Sequence, residues 1–345
     1  MDALRTAQLD MHSNSELGLE SVPFYEGQLR DLEQVAERAR QMGNARALAE
    51  AELSQGRVKE KLGDFLEAIA LARTAHARFH NAGDASGVAL CCHTTAVWAF
   101  HHGDDVKSLQ DFRTAVQIRG TAGEFLLEAQ SWHNLGYVQC RTGRPDDAFR
   151  SYHEAQRILE RLRLGRLASL SASADRALGF VFSHLAFANA KYRSRDDAMT
   201  ATMAYFEHTA RTKVHKEPIL AYLAPPIALA FDKKELDADL ASRIGKHGGL
   251  EMAPDLWFRY ALEESSRALL AHEAGSGRRP YLGARLLALA ESGLWFLNEG
   301  QEQLGQMLIA EAVALASARG WIGEVGRFSS MRCADANAAR LKAQA

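Results

Sequence analysis

His76 and His80 stand four residues apart, the spacing that puts two imidazoles on one helix face, where they could hold a metal ion. No HExxH accompanies them and the chain offers no third ligand at a suitable spacing, so no metal is assigned. His101-His102 falls where a helix should end, and capping is its expected role, because a cation or a carbonyl hydrogen bond is favoured there. Asp146-Asp147 and Asp196-Asp197 read as first-turn acids that complement the helix dipole, not as an acid–base pair. The basic glycine loop Gly275–Arg279 (GSGRR) could meet phosphate, but it follows no plausible strand and reads as a turn. GxGxxG, GxxxxGK(S/T), GxSxG and paired zinc motifs are absent. Cys91, Cys92, Cys140 and Cys333 form no CxxC and read as reduced, partly buried thiols of a cytoplasmic protein. Neither catalysis nor a cofactor is expected.

Lys plus Arg number 41 and Asp plus Glu 43, a net charge of −2, which argues against direct nucleic-acid binding. Residues 1–20 lack a basic head followed by an apolar core, so no signal peptide is expected. The longest apolar run, Ile219–Phe231, is broken by Pro225-Pro226 and falls short of the roughly 20 residues that span a bilayer. With 7 prolines in 345 residues, long stretches are free to be helical.

The elements that must position any site are marked by glycine. Gly43, Gly63, Gly83, Gly103, Gly123 and Gly143 recur every 20 residues, and Asn44, Asp64, Asp84, Asp104, Glu124 and Arg144 follow them. Glycine ends a helix because it adopts the left-handed conformation without a Cβ clash, and Asn or Asp starts the next by accepting backbone N–H bonds. Glu124 and Arg144 are poorer caps, although Pro145 suits a first helical turn. Residues 24–163 therefore read as antiparallel helices of about 17 residues joined by short turns. Aligning the segments that begin at Ala49, Ala89 and Ala129 places small residues in register, at Gly56, Ala96 and Gly136 and again at Ala68, Ser108 and Ala148. Gly136 and Ala148 are expected to face each other within one helix pair.

Trp132, Leu135, Gly136, Gly143, Ala148, Tyr152 and Ala155 resemble the tetratricopeptide (TPR) consensus. The 40-residue period, longer than the usual 34 or so, resembles the arrays of MalT-like regulators and peptide-pheromone receptors of bacteria. The resemblance implies an all-α fold, a right-handed α-solenoid of antiparallel helix pairs. Residues 1–215 hold the regular repeats, with copies starting near 49, 89, 129 and 179. Residues 216–280 form an irregular helical segment with helices expected at about 219–230, 233–245 and 255–273. Residues 281–345 form a closing repeat and a capping helix from Ile322, with Gly300 and Gly320 again 20 apart. About ten extra residues around Leu164–Asp175 make either a longer loop or a helix extension.

By the same resemblance, the first helix of each pair lines a concave surface. Its residues are Leu53, Arg57 and Lys61; His93, Val97 and His101; His133, Tyr137 and Arg141; Ser183, Phe187 and Lys191. The spacing of four puts each set on one helix face independently of the family. The wall mixes apolar and cationic side chains without an acid, so the expected ligand is an acidic or carboxylate-bearing peptide or protein. The centre is expected around His93, Val97, Phe100, His133, Asn134, Tyr137 and Arg141, with Asn134 bonding a ligand backbone amide. As solvated groove residues, Tyr137 and Arg141 are expected to tolerate substitution without much change in melting. Two functions follow: a non-enzymatic scaffold or adaptor, or a ligand- or peptide-sensing regulator. If the chain is complete, the regulator acts through a separate protein. If it is a fragment, an effector such as a cyclase or a DNA-binding domain has been cut away. A homo-oligomer is compatible with either.

Overall fold

The fold was examined in a computed structural model, which describes residues 22–165, 168–212, 282–298 and 300–331. Gly43, Gly63, Gly83, Gly103, Gly123, Gly143, Gly300 and Gly320 all have positive φ, between 64° and 86°. At each of them an L side chain would be strained, so glycine sets the end of every preceding helix. The helices between them are α1 Val22–Gln41, α2 Ala45–Lys61, α3 Phe65–Asn81, α4 Ala85–His101, α5 Asp105–Thr121, α6 Phe125–Arg141 and α7 Pro145–Arg163. The side chains of Asn44, Asp64, Asp84 and Asp104 each accept a hydrogen bond from the backbone N–H three residues on. Glu124 and Arg144 make no such bond, and Pro145 opens α7 in its place.

Then follow α8 Ala168–Tyr192, α9 Arg195–Thr212, α10 Leu282–Asn298, α11 Glu302–Ala318 and α12 Ile322–Ser329. Helix α8 runs 25 residues, so the extra residues after Leu164 lengthen a helix, and this element starts well before Gly179. Of the irregular segment expected at 216–280, every residue lies outside the described residues, as does Cys333. There is no strand among the described residues.

Successive helices pack in series, α2 on α3, α4 on α5, α6 on α7, α8 on α9 and α10 on α11, which makes the molecule an all-α solenoid of antiparallel helix pairs. The core lies between and within pairs. Ala49, Ala68, Ala72, Ala75 and Ala89 are fully buried, as are Ala129, Ala148 and Ala155. Small residues at these places let helix axes approach. A Cβ added at Gly56 would lie 3.1 Å from the Ala68 carbonyl oxygen. In the third pair the contact differs from expectation. A Cβ at Gly136 would lie 2.8 Å from Cδ1 and Cε1 of Tyr152, so Gly136 makes room for that ring and not for Ala148. Gly136→Leu is expected to cost roughly 1–3 kcal/mol or more by overpacking. Hydrogen exchange should then rise first in α6 and α7. Unchanged melting of this variant would show the helix register to be wrong.

Candidate ligand face

The side chains expected to line the first helix of each pair fall into two groups in the structure. One group joins neighbouring helices. Arg57 is buried and its Nη2 donates to Thr94 Oγ1 at 3.1 Å. Burial pulls its guanidinium down to about 10. His93 on α4 is buried against α5 and α6, with Nδ1 3.1 Å from Ser131 Oγ and 3.1 Å from Arg119 Nη1. A guanidinium only donates, so Nδ1 accepts and Nε2 carries the proton. The Asn134 amide lies 3.2 Å from Nε2, which turns its oxygen toward the ring, because the two ends of an amide exchange by rotation. Asn134 is thus engaged between helices. Ser183 is fully buried and donates to the Phe180 carbonyl at 2.8 Å. Val97 packs against the cluster of Phe100, Leu109, Phe112, Leu135 and Val138. The His133 ring hydrogen-bonds to His184 and stacks on it with centroids 4.5 Å apart. Burial holds His93 and His184 well below the usual histidine range and brings His133 down to about 4.

The second group faces a segment of the same chain. Arg141 Nη2 donates to Glu324 Oε2 at 2.9 Å, and the two side chains are 3% and 4% exposed. Arg141 Nη1 donates to the Tyr137 hydroxyl at 2.9 Å, and its guanidinium also lies 5.5 Å from the Phe328 ring. His101 lies against Trp321 with centroids 3.8 Å apart, and burial drives its imidazole down to about 3. Arg327 donates to the Phe100 carbonyl at 3.1 and 3.2 Å and sits 3.8 Å over the Phe100 ring. Its guanidinium also pairs with Asp105. At the rim, Arg319 Nη1 donates to the Lys61 carbonyl at 2.7 Å, and Trp321 Nε1 donates to Glu60 Oε1 at 3.3 Å. The Lys61 ammonium itself lies 5.1 Å over the Tyr25 ring. Farther along, Lys191 Nζ donates to Glu291 Oε1 on α10 at 3.2 Å and lies 5.6 Å over the Phe187 ring.

Phe100, His101, Tyr137 and Arg141 therefore converge, whereas Arg57, His93, Asn134 and His133 serve the joints between helices and Ser183 bonds within its own helix. The expectation that Tyr137 and Arg141 are solvated groove residues is corrected. Tyr137 packs into two core clusters and the Arg141 side chain is buried. The expected capping helix is present at Ile322, but it turns into the inner face through Trp321, Glu324, Arg327 and Phe328. These four were missed by sequence reasoning. Their signal is the spacing i, i+3, i+6 and i+7, which puts them on one helix face.

Among the described residues, no three His, Cys, Asp or Glu come together to hold a metal ion. Cys91, Cys92 and Cys140 are buried free thiols, pushed up by burial to about 12, 11 and 12. No described helix is long and apolar enough to cross a membrane.

The architecture was then compared with known proteins. The chain resembles the crystal structure of BtubC (BKLC) from P. vanneervenii, with a TM-score of 0.50 and 19% identity over 74% of this chain and 94% of that one. The fold is that of a helical-repeat protein. A circular tandem repeat protein with novel repeat topology and enhanced subunit contact surfaces also matches, at 14% identity over 92% of this chain and 90% of that one, but its TM-score of 0.24 carries no argument. No protein-family model matches the chain, and no curated protein does. At these identities the likeness of the helical-repeat fold extends to architecture alone.

Proposed function

We propose that the chain is a non-enzymatic scaffold or adaptor of the tetratricopeptide type, in its long 40-residue variant, working in the cytoplasm. Its inner face takes a peptide or protein segment that carries a carboxylate. One observation supports this reading above others: the face formed by Phe100, His101, Tyr137 and Arg141 already holds a peptide segment, through a buried ion pair, ring stacking and main-chain carbonyls. Those are the means by which grooves recognise helical peptides. The regulatory reading, in which the chain senses a peptide and acts on a separate effector, gains from the same observation, because a face filled in cis requires exchange before it binds in trans.

The test begins with proteins that co-purify from the native host, identified by mass spectrometry, and continues with their titration. Arg141→Glu should weaken an acidic partner at least tenfold, since it replaces an attractive charge by a repulsive one. Tyr137→Phe, which keeps the ring in the core, separates the role of the hydroxyl from that of packing. A partner that binds the Arg141→Glu chain with wild-type affinity, while hydrogen exchange shows α1–α9 intact, places the interaction elsewhere and sinks this reading.

A further inference from the structure

We propose that Trp321–Phe328 is an internal occupant of the groove, and that the external ligand is a short helix of a partner protein with the same face. That face carries an aromatic residue at i, a carboxylate at i+3, and an arginine and an aromatic residue at i+6 and i+7. The proposal rests on the peptide-binding reading above and deepens it to a recognition pattern and a mode of control.

The fit is close. Trp321, Glu324 and Phe328 are 2%, 3% and 0% exposed. A Cβ added at Gly323 would lie 2.4 Å from the Gly103 nitrogen, 2.6 Å from its Cα and 2.8 Å from the Phe100 carbonyl oxygen. All three are backbone atoms with no freedom to yield, so the segment docks with main chain against main chain.

The docked state also carries costs. Helix α12 has eight residues, two of them glycine, so its intrinsic helix propensity is poor and docking must supply its order. Among the described residues, Nε and Nη2 of Arg319 are buried without a hydrogen-bond partner, as is Nδ1 of His101. Each buried polar atom that loses water without gaining a partner is destabilising. What compensates is tethering. Gly320, with φ +68°, joins the segment to α11, so its effective concentration at the groove is high. A segment held by tether and paired charge, with orphaned donors and a weak helix, is poised for displacement by an untethered helix that satisfies the same contacts.

Two glycines in one helix allow a decisive test. Gly323→Ala and Gly326→Ala make the same chemical change and raise helix propensity alike. Only Gly323 meets backbone, whereas a Cβ at Gly326 meets nothing within 4 Å. The probe is a labelled peptide spanning Ser317–Met331 (SARGWIGEVGRFSSM), titrated into the full chain by fluorescence anisotropy. Gly323→Ala should release the internal segment, seen as faster hydrogen exchange at 322–329, and bind the peptide at least tenfold more tightly than wild type. Gly326→Ala should keep the segment docked and bind the peptide no better than wild type. A peptide carrying Glu324→Gln should lose at least tenfold against the Gly323→Ala chain, which ties recognition to Arg141. Segment release without a gain in peptide affinity overturns the proposal, as does protection at 322–329 that survives Gly323→Ala. Equal behaviour of the two alanine variants overturns it too, because helix propensity would then be the whole effect. A wild-type chain that dimerises through this segment assigns the groove to a second copy and overturns it as well. Peptide binding by the opened chain, with no Arg141-dependent partner recovered, sinks the scaffold reading and the external ligand with it, and leaves only the internal occupant. The reverse pattern sinks this one alone.

Discussion

Tyr152→Ala is expected to destabilise the chain by roughly 3–5 kcal/mol, the cost of emptying a fully buried aromatic site. Tyr152 is 0% exposed and belongs to the cluster that joins α6, α7 and α8. Its ring lies against Gly136 and within 5.9 Å of His133 and 6.1 Å of His184, centroid to centroid. The side chain thus supports both the close approach of α6 to α7 and the histidines behind the inner face. The glycine and the ring share one volume, so the two substitutions should couple. Gly136→Leu placed in the Tyr152→Ala background should cost less than the sum of the single changes, because leucine grows into the vacated space. Denaturant unfolding of the four proteins measures this directly. Strict additivity would mean that the two sites do not touch, contrary to the packing described above.

Mild acid is expected to cost the fold about 4 kcal/mol between pH 7.5 and 5, from two histidines alone. In the unfolded chain an imidazole takes its proton near about pH 6.5. In the fold, burial brings His133 down to about 4 and His101 to about 3. For His101 the nearby Arg327, His102, Arg141 and Arg319 charges add to the effect. Between the two ranges the unfolded state binds more protons. Stability is therefore complete above about pH 6.5 and is lost as pH falls toward the folded values. The melting temperature should be level above pH 7 and fall steeply between 6.5 and 5. His101→Gln and His133→Gln combined should make that fall shallower without abolishing it, because glutamine does not titrate while the buried His93 and His184 still do. Carboxylate pairs such as Arg141–Glu324 enter at lower pH, so the window from 6.5 to 5 isolates the histidines. A melting temperature that stays level down to pH 5 would mean that these rings are hydrated.

The turns were legible because their causes are local. A left-handed residue needs glycine and a free helix start needs a short polar acceptor, and both requirements lie within four residues of chain. The same locality made Glu124 and Arg144 recognisable as positions without a side-chain cap. Helical periodicity likewise identified the inward set, since residues four apart share a face whatever surrounds them. Periodicity could not divide that set. Arg141 meets α12 with Tyr137 bonded behind it, while His93 and Asn134 on neighbouring helices turn toward each other. The division depends on how far each helix is rotated about its axis, and packing sets that rotation. The length of α8 was equally hidden, because Ala-rich sequence after Leu164 suits a helix or a loop until a neighbouring helix is there to bury it.

The amino-acid sequence by itself determined the turns that end α1 to α6 and the order of the helices between them, which follow from spacing and short-range chemistry. Tertiary structure alone decided what covers that wall. Arg141 and Glu324 stand 183 residues apart, and no local rule links them. They meet where α12 lies against α6, and there a buried cation requires a carboxylate and the chain supplies one.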